Sequence, residues 1–241
     1  MRIPRIFYHE ELKINTTIAL DSRNYHYLLN VLRVKEGWMI VLFNGDGHDY
    51  KAEIVHIQKK QIEVTIQSQY AASTESPLFI ELGQGISHSD KMYYVLQKAV
   101  ELGVKRITPL ITDRSAKVGR RFSHLEGVVI SACEQSGRAH LPEINQPQHL
   151  NNWLWQKRDG ISFVCDLSGQ KTLSNFSKNI ERVTILIGPE RGLSEDEVHQ
   201  AVANNFIRLY LGPRVLRTET ATVTALSLLQ GHFGDLKYPL P

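Results

Sequence analysis

Cysteine is scarce in this chain. Cys133 and Cys165 are its only two, they are far apart, and they form no C-x-x-C pair. They fit buried small hydrophobes in a reducing compartment better than a disulfide or a zinc site. The ten histidines show no H-x-x-x-H or H-E-x-x-H spacing, so no metal site is expected. No apolar run approaches membrane-spanning length. The opening Met-Arg-Ile-Pro-Arg-Ile-Phe lacks the apolar core of a secretion signal. A cytoplasmic protein without membrane association is the expectation. Two nucleotide-binding signatures are also missing. No G-x-G-x-x-G follows the first strand, which argues against a Rossmann dinucleotide fold, and no G-x-x-x-x-G-K-[ST] marks a P-loop. There is no internal repeat or low-complexity segment.

What remains is an ordinary globular composition, 42% apolar and 22% charged over 241 residues, enough for one large or two small domains. Net charge is only +3, but the cations cluster. Residues 1–35 hold Arg2, Arg5, Lys13, Arg23, Arg33 and Lys35 against three acids. Residues 105–121 hold Lys105, Arg106, Arg114, Lys117, Arg120 and Arg121 against Asp113 alone. Local basic patches on a near-neutral chain suit a polyanion that touches part of the surface.

The pattern changes along the chain. Residues 1–70 read as β-rich: two strands flank Asn44-Gly-Asp-Gly, a hairpin signal, and Ile62–Ile66 alternates as a third. Tyr25 to Val34 reads as a short helix. Residues 71–77 are polar and end in Pro77, a linker signal. Strands then alternate with helices: a strand from Leu78, a helix from Ser89 stopped by Gly103, and a strand from Arg106. A helix opens with a capping box at Ser123, and a strand follows from Ile161. Such alternation predicts a parallel sheet covered on both faces.

Near the end, two apolar runs break at Gly-Pro and resume as helices. The first passes through Gly188-Pro189 to a capping box formed by Ser194 and Glu197. The second passes through Gly212-Pro213 to a helix that Thr218 or Thr220 can cap. In an open α/β sheet, loops at strand carboxyl ends bind ligands. Gly188 and Gly212 are expected to let backbone approach a ligand closely. The final helix, Glu219 to about Phe233, is apolar around most of its circumference. A surface helix carries one apolar stripe, so this one is expected to be buried on both sides, by its own domain or by a second subunit.

Ile187-Gly-Pro-Glu-Arg-Gly-Leu-Ser-Glu-Asp-Glu, Leu211-Gly-Pro-Arg-Val-Leu-Arg-Thr-Glu-Thr-Ala, Glu134-Gln-Ser-Gly-Arg, Lys98-Ala-Val-Glu-Leu-Gly and Asp113-Arg-Ser resemble the signatures of the ribosomal RNA small subunit methyltransferase E family. The resemblance runs from the basic N-terminus to the last helix. It implies an α/β fold of the SPOUT class, a knotted parallel sheet with helices on both faces over residues 73–241 with a C-terminal trefoil knot, and a small PUA-like RNA-binding β-barrel over residues 1–72. It further implies S-adenosylmethionine as cofactor, a homodimer, and methylation of N3 of one uridine in small-subunit (16S) ribosomal RNA, either as naked RNA or within the ribosomal subunit.

The resemblance places the cofactor on three loops, Cys165 to Gly169, Gly188 to Leu193 and Leu211 to Thr218. The implied contacts are Leu167, Gly188, Pro189, Glu190, Gly192, Leu193, Leu211, Gly212, Leu216, Arg217 and Thr218. Backbone groups in tight loops can read the edge of an adenine while leucines sandwich its ring. Removing the N3 proton calls for a cation near the uridine carbonyls, which Arg114, Arg138 or Arg217 can supply, and for a proton acceptor, for which Glu134, Glu190 and Glu219 are candidates. Arg217, Glu134 and Arg138 are taken as the catalytic set. Arg2, Arg5, Arg33, Arg114 and Arg120 are taken as RNA contacts. The rival readings are a SPOUT enzyme acting on another RNA such as transfer RNA, and a non-catalytic ribosome-assembly factor.

Overall fold

The computed structural model describes residues 3–116 and 125–236. The chain divides into two compact units, Met1–Glu75 with Cys133–Leu141, and Ser76–Ala132 with Pro142–Pro241. In the first, β1 (Arg5–Phe7), β2 (Thr17–Leu20), β3 (Met39–Phe43), β4 (His48–Gln58) and β5 (Gln61–Ala71) form a curled sheet in the order β1-β3-β4-β5-β2. Strand β1 runs parallel to β3 and the other pairs are antiparallel. The Asn44–Gly47 turn joins β3 to β4 as its sequence indicates. Register shifts at Lys51/Ala52 and Ile54/His56 bend and twist the long β4–β5 ribbon. That curl closes Ile40, Leu42, Ile54, Ile62, Val64 and Ile66, all fully buried, into one core.

The helix expected over Tyr25–Val34 takes another form. A short α1 (Ser22–His26) starts earlier, because the Asp21 carboxylate accepts the Asn24 N–H at 2.8 Å and so caps it. It passes into a π-helical turn over Tyr27–Leu32. Arg33 ends that turn in the left-handed region at φ +53°, its N–H reaching back to the Leu28 carbonyl.

The second unit contains, among the described residues, β6 (Phe79–Gly85), β7 (Arg106–Ile111), β8 (Glu143–Ile144), β9 (Gln148–His149), β10 (Ile161–Cys165), β11 (Arg182–Ile187) and β12 (Phe206–Leu209). They pair in parallel in the order β12-β10-β11-β6-β7-β8, with β9 also on β7. Five of the seven match the expected strands. The two-residue β8 and β9 are too short for any periodicity to mark. The helices are α2 (Ser89–Glu101), α3 (Leu125–Ser136), α4 (Leu150–Leu154), α5 (Glu195–Ala203) and α6 (Thr218–His232). The capping box expected at Ser123 lies outside the described residues.

Strand alternation explains why both faces need cover. Ile185, Ile187 and Phe163 point into a core with Val95, Leu96 and Ala99 of α2 and Ala225, Leu226 and Leu229 of α6. The intervening Leu186 and Val164 point the other way, onto Trp153 and Leu154 of α4 and Ala201 of α5. After the edge strand β12 the chain doubles back, so that α6 packs on α2 and its first turn reaches the carboxyl ends of β6 and β11. Gln230 locks this return. It accepts from Ser76 Oγ at 2.8 Å and donates to the Leu102 carbonyl at 2.8 Å.

Of the two covers expected for α6, its own domain supplies one: Leu226 and Leu229 are fully buried in the unit's core, so their apolarity is consumed within the chain. Leu228, 46% exposed, is on the outward face.

Candidate active site

Three loops at the carboxyl ends of β10, β11 and β12 enclose a cavity of about 390 Å³. A volume of this order lies within the usual range for small-molecule sites. Of the eleven residues expected to contact a cofactor, Leu167, Gly188, Pro189, Glu190, Gly192, Leu193, Leu211, Gly212, Leu216 and Thr218 line it. Arg217 does not. It is exposed and stands at the N-cap of α6 between two lining residues.

Each loop is fixed by its own chemistry. Ser194 and Glu197 form the expected capping box at the start of α5. The same Glu197 carboxylate accepts the Asp113 N–H at 2.8 Å, and Arg114 donates to the Arg191 and Leu193 carbonyls at 3.2 and 3.3 Å. Arg114 thus straps the Gly188–Leu193 loop. In the Cys165–Gly169 loop, Asp166 takes the Ser168 N–H and hydroxyl and pairs with Arg208 at 3.0 Å. Burial pushes the adjacent Cys165 thiol up to about 12, so it stays neutral and unreactive. The third loop turns at Gly212, whose φ of +108° is strained for any side chain. No protein atom lies within 4 Å of a Cβ built there, so within the chain its glycine is a matter of backbone conformation.

Thr218 does not cap α6. The N-cap is Arg217, which makes no side-chain capping bond. The Thr218 hydroxyl instead donates to the Gly188 carbonyl at 2.7 Å and accepts from Gln84 Nε2 at 3.0 Å. Thr222 Oγ1 lies 2.8 Å from Gln84 Oε1. Gln84 and Thr222 are fully buried, and buried polar groups must be paired. This relay ties the β11 loop to the returning segment. Beside it, a Cβ on Gly85 would fall 2.4 Å from the Pro189 nitrogen, so only glycine lets the Gly188-Pro189 turn lie on β6. Sequence reasoning missed Gln84 and Gly85. The Gly83-Gln84-Gly85 triplet at the end of a buried strand was the available signal.

The carboxylates of the cavity are not placed to take protons. Asp166 is engaged as above. Burial pushes the Glu190 carboxyl up, but hydrogen bonds from Lys91 and the His88 N–H outweigh it and hold the group below its usual range. Lys91 Nζ is 3.2 Å away. Glu219, in the first turn of α6, is not among the lining residues.

Of the other expected residues, Arg5, Arg33, Glu134 and Arg138 lie in the first unit. Arg5 is buried. It pairs with Asp49 at 2.5 Å, stacks on Phe43 and donates to the Cys133 carbonyl at 2.8 Å. The surface phosphate contact expected of it would require breaking that pair. Arg138 is likewise buried, in a two-pronged pair with Glu75 at 3.1 and 3.0 Å. Glu134 accepts the Phe7 N–H at 3.1 Å and faces Arg23 at 3.3 Å; burial raises its carboxyl above the usual range, against the Phe7 N–H and the Arg23 and Arg5 charges. Arg33 is exposed, whereas Arg2 and Arg120 lie outside the described residues. Truncating Arg138 to Ala removes both prongs of its buried pair with Glu75. Its melting transition is expected to drop by a margin matching a few kcal/mol, and an unchanged thermal melt would contradict the structural role.

The cavity offers apolar walls, loop backbone and two engaged carboxylates, which suits an amphipathic nucleoside. Among the described residues, no helix is long and apolar enough to cross a membrane, and no group of three or more His, Cys, Asp or Glu could hold a metal ion. The chain carries a curled N-terminal sheet, and its parallel sheet, whose last segment doubles back to complete a cavity at strand carboxyl ends, has the fold of the SPOUT-class methyltransferases. Residues 74–230 match the RNA methyltransferase domain family and residues 20–67 the RNA methyltransferase PUA domain family. The chain belongs to the ribosomal RNA small subunit methyltransferase E family. It is 38% identical to the protein of that name from Buchnera aphidicola of Schizaphis graminum, over 98% of each chain. A ribosomal RNA small subunit methyltransferase E from Neisseria gonorrhoeae, solved bound to S-adenosylmethionine, superposes with a TM-score of 0.92 at 34% identity, covering 98% of this chain and all of that one. A protein from Legionella pneumophila, solved with bound cofactor SAM, superposes with a TM-score of 0.93 at 38% identity over 98% and 100% of the two chains.

Proposed function

We propose that this chain methylates N3 of one uridine in small-subunit ribosomal RNA, with S-adenosylmethionine as donor and a homodimer as the working form. The observation that carries the reading is the three-loop cavity, in which ten of the residues implied by the family resemblance converge. Its residues fit the cofactor. Leu167, Leu193, Leu211 and Leu216 supply apolar walls for an adenine, the loop backbone supplies its hydrogen-bonding edge, and Asp166 and Glu190 supply negative charge for the cationic end. When bound, the cofactor supplies a methyl group already activated by its sulfonium.

What the chain itself must do is hold the uridine base in line and ease loss of its N3 proton. The cavity carboxylates are held by cations, so they serve binding more than proton transfer. Arg217, exposed at the α6 N-cap beside the cavity, is the residue assigned to stabilise negative charge on the uridine carbonyls. The base must leave its stack to reach it. Glu134 and Arg138 sit in ion pairs of the first unit, where their assigned part becomes support of that unit.

The test is product identity. Small-subunit RNA from a strain lacking the gene, treated with the protein and the donor, should yield N3-methyluridine on nuclease digestion and mass analysis. Arg217→Ala should lower kcat at saturating RNA more than tenfold while donor affinity stays within about twofold. Methylation of transfer RNA instead, or donor binding without transfer to any RNA, would favour the two rival readings respectively.

A further inference from the structure

The first unit displays a feature that the methyl-transfer reading does not use. The π-helical turn Tyr27–Leu32 is anchored inward by the fully buried Leu28 and by Leu29 and Leu32, which pack on the unit's core. Its outer face leaves two large apolar side chains in solvent, Tyr27 at 42% and Val31 at 66% exposure. They are one helical turn apart, and two cations follow them closely in the chain. Arg33 and Lys35 are exposed, and Arg33 is held in the left-handed region at φ +53°. The nearby acids are engaged elsewhere: Asp21 caps α1, and Glu36 takes the Ile57 N–H at 2.8 Å. A π-turn followed by a strained non-glycine residue is an unusual local structure, of the kind that persists where a site needs it.

An exposed aromatic ring followed closely by cations has the chemistry of a single-strand nucleic-acid platform. The ring stacks a base and the cations follow the backbone. A duplex hides its base faces, so it offers the ring nothing. We propose that the Tyr27–Leu32 turn of the N-terminal unit receives an unpaired base of the RNA, stacked on Tyr27 against Val31, with Arg33 and Lys35 on the flanking phosphates. This rests on the reading of the chain as an RNA methyltransferase and adds which RNA conformation it grips and with which face.

The experiment measures binding of the full chain to a fluorescent uridine-rich single-stranded RNA and to its blunt duplex, across a salt series, with donor affinity followed by calorimetry. Wild type should prefer the single strand. Tyr27→Ala should weaken single-strand binding at least fivefold with the salt slope unchanged, since stacking releases no counterions. Tyr27→Phe, which keeps the ring, should stay within twofold of wild type. Arg33→Ala should instead flatten the slope by roughly one phosphate's worth, about 0.7. Donor affinity and melting temperature should not move in any of the three. Equal binding by wild type and Tyr27→Ala, equal losses in the Ala and Phe variants, or a duplex bound as tightly as the single strand would each overturn the proposal, and the first would leave the turn to a protein partner. Failure of the wild type to bind any RNA would overturn it together with the reading it rests on, which distinguishes the two failures.

Discussion

Gly85→Ala is expected to lower affinity for S-adenosylmethionine at least tenfold, about 1.4 kcal/mol, in a protein that still folds. The added methyl would meet the Pro189 nitrogen at 2.4 Å, Pro189 Cδ at 2.5 Å and the Gly188 carbonyl carbon at 2.9 Å. These are atoms of a stiff Gly-Pro turn, not the end of a flexible side chain, so the loop itself has to move. Gly188 is tied to Thr218 and through it to Gln84, and movement of one loop therefore disturbs two of the three that form the cavity. The fold should survive because Gly85 is the last residue of β6 and the strand's pairing with β11 ends at Gln84. Calorimetric titration of donor into the variant, with circular dichroism as the fold control, measures it. Undiminished affinity would mean that the cavity is not the donor site.

The fate of individual residues shows what the sequence made legible. Gly188-Pro189 and Gly212-Pro213 could be read because turn chemistry is local: a buried strand that stops at Gly-Pro and restarts with a cap has one plausible geometry. The same holds for Ser194 and Glu197, whose capping box needs only four consecutive residues. Gln84 and Gly85 were hidden because their roles are non-local. A buried glutamine looks like an error in a strand until Thr218 and Thr222, more than 130 residues later in the chain, arrive beside it. Thr218 was misread as a cap for the same reason, since its hydroxyl has a better use across the sheet. Arg5 was misread because charge counting assumes exposure. A single carboxylate, Asp49, and the ring of Phe43 suffice to bury a guanidinium, and neither is adjacent in sequence. The split of Tyr25–Val34 into α1 and a π-turn has no sequence signature at all, because the apolar spacing of Tyr25, Leu28, Leu29 and Leu32 suits either helix.

The sharpest consequence of that distinction between local and non-local concerns α6. Its apolar residues leave both its own domain and a second subunit open as cover, and a charge at Leu226 is one way to probe it. In the structure a charge there tests something else. Leu226→Asp is expected to yield insoluble or unfolded protein whatever the oligomeric state, because the side chain is fully buried against the core of its own unit. It loses the burial of a leucine and forces in an unpaired carboxylate, together several kcal/mol, which is comparable with the whole stability of a domain. Leu228, two residues on, points the other way. It is 46% exposed, so Leu228→Asp costs the isolated chain almost nothing. If α6 lies in a homodimer interface, this second variant should remain folded and soluble and sediment as a monomer where the wild type sediments as a dimer. The contrast between the two variants is the test, since a core defect would act on both. A wild type that sediments as a monomer at micromolar concentration, or a Leu228→Asp protein that stays dimeric, would remove α6 from the interface and leave the exposure of Leu228 without a partner to explain it.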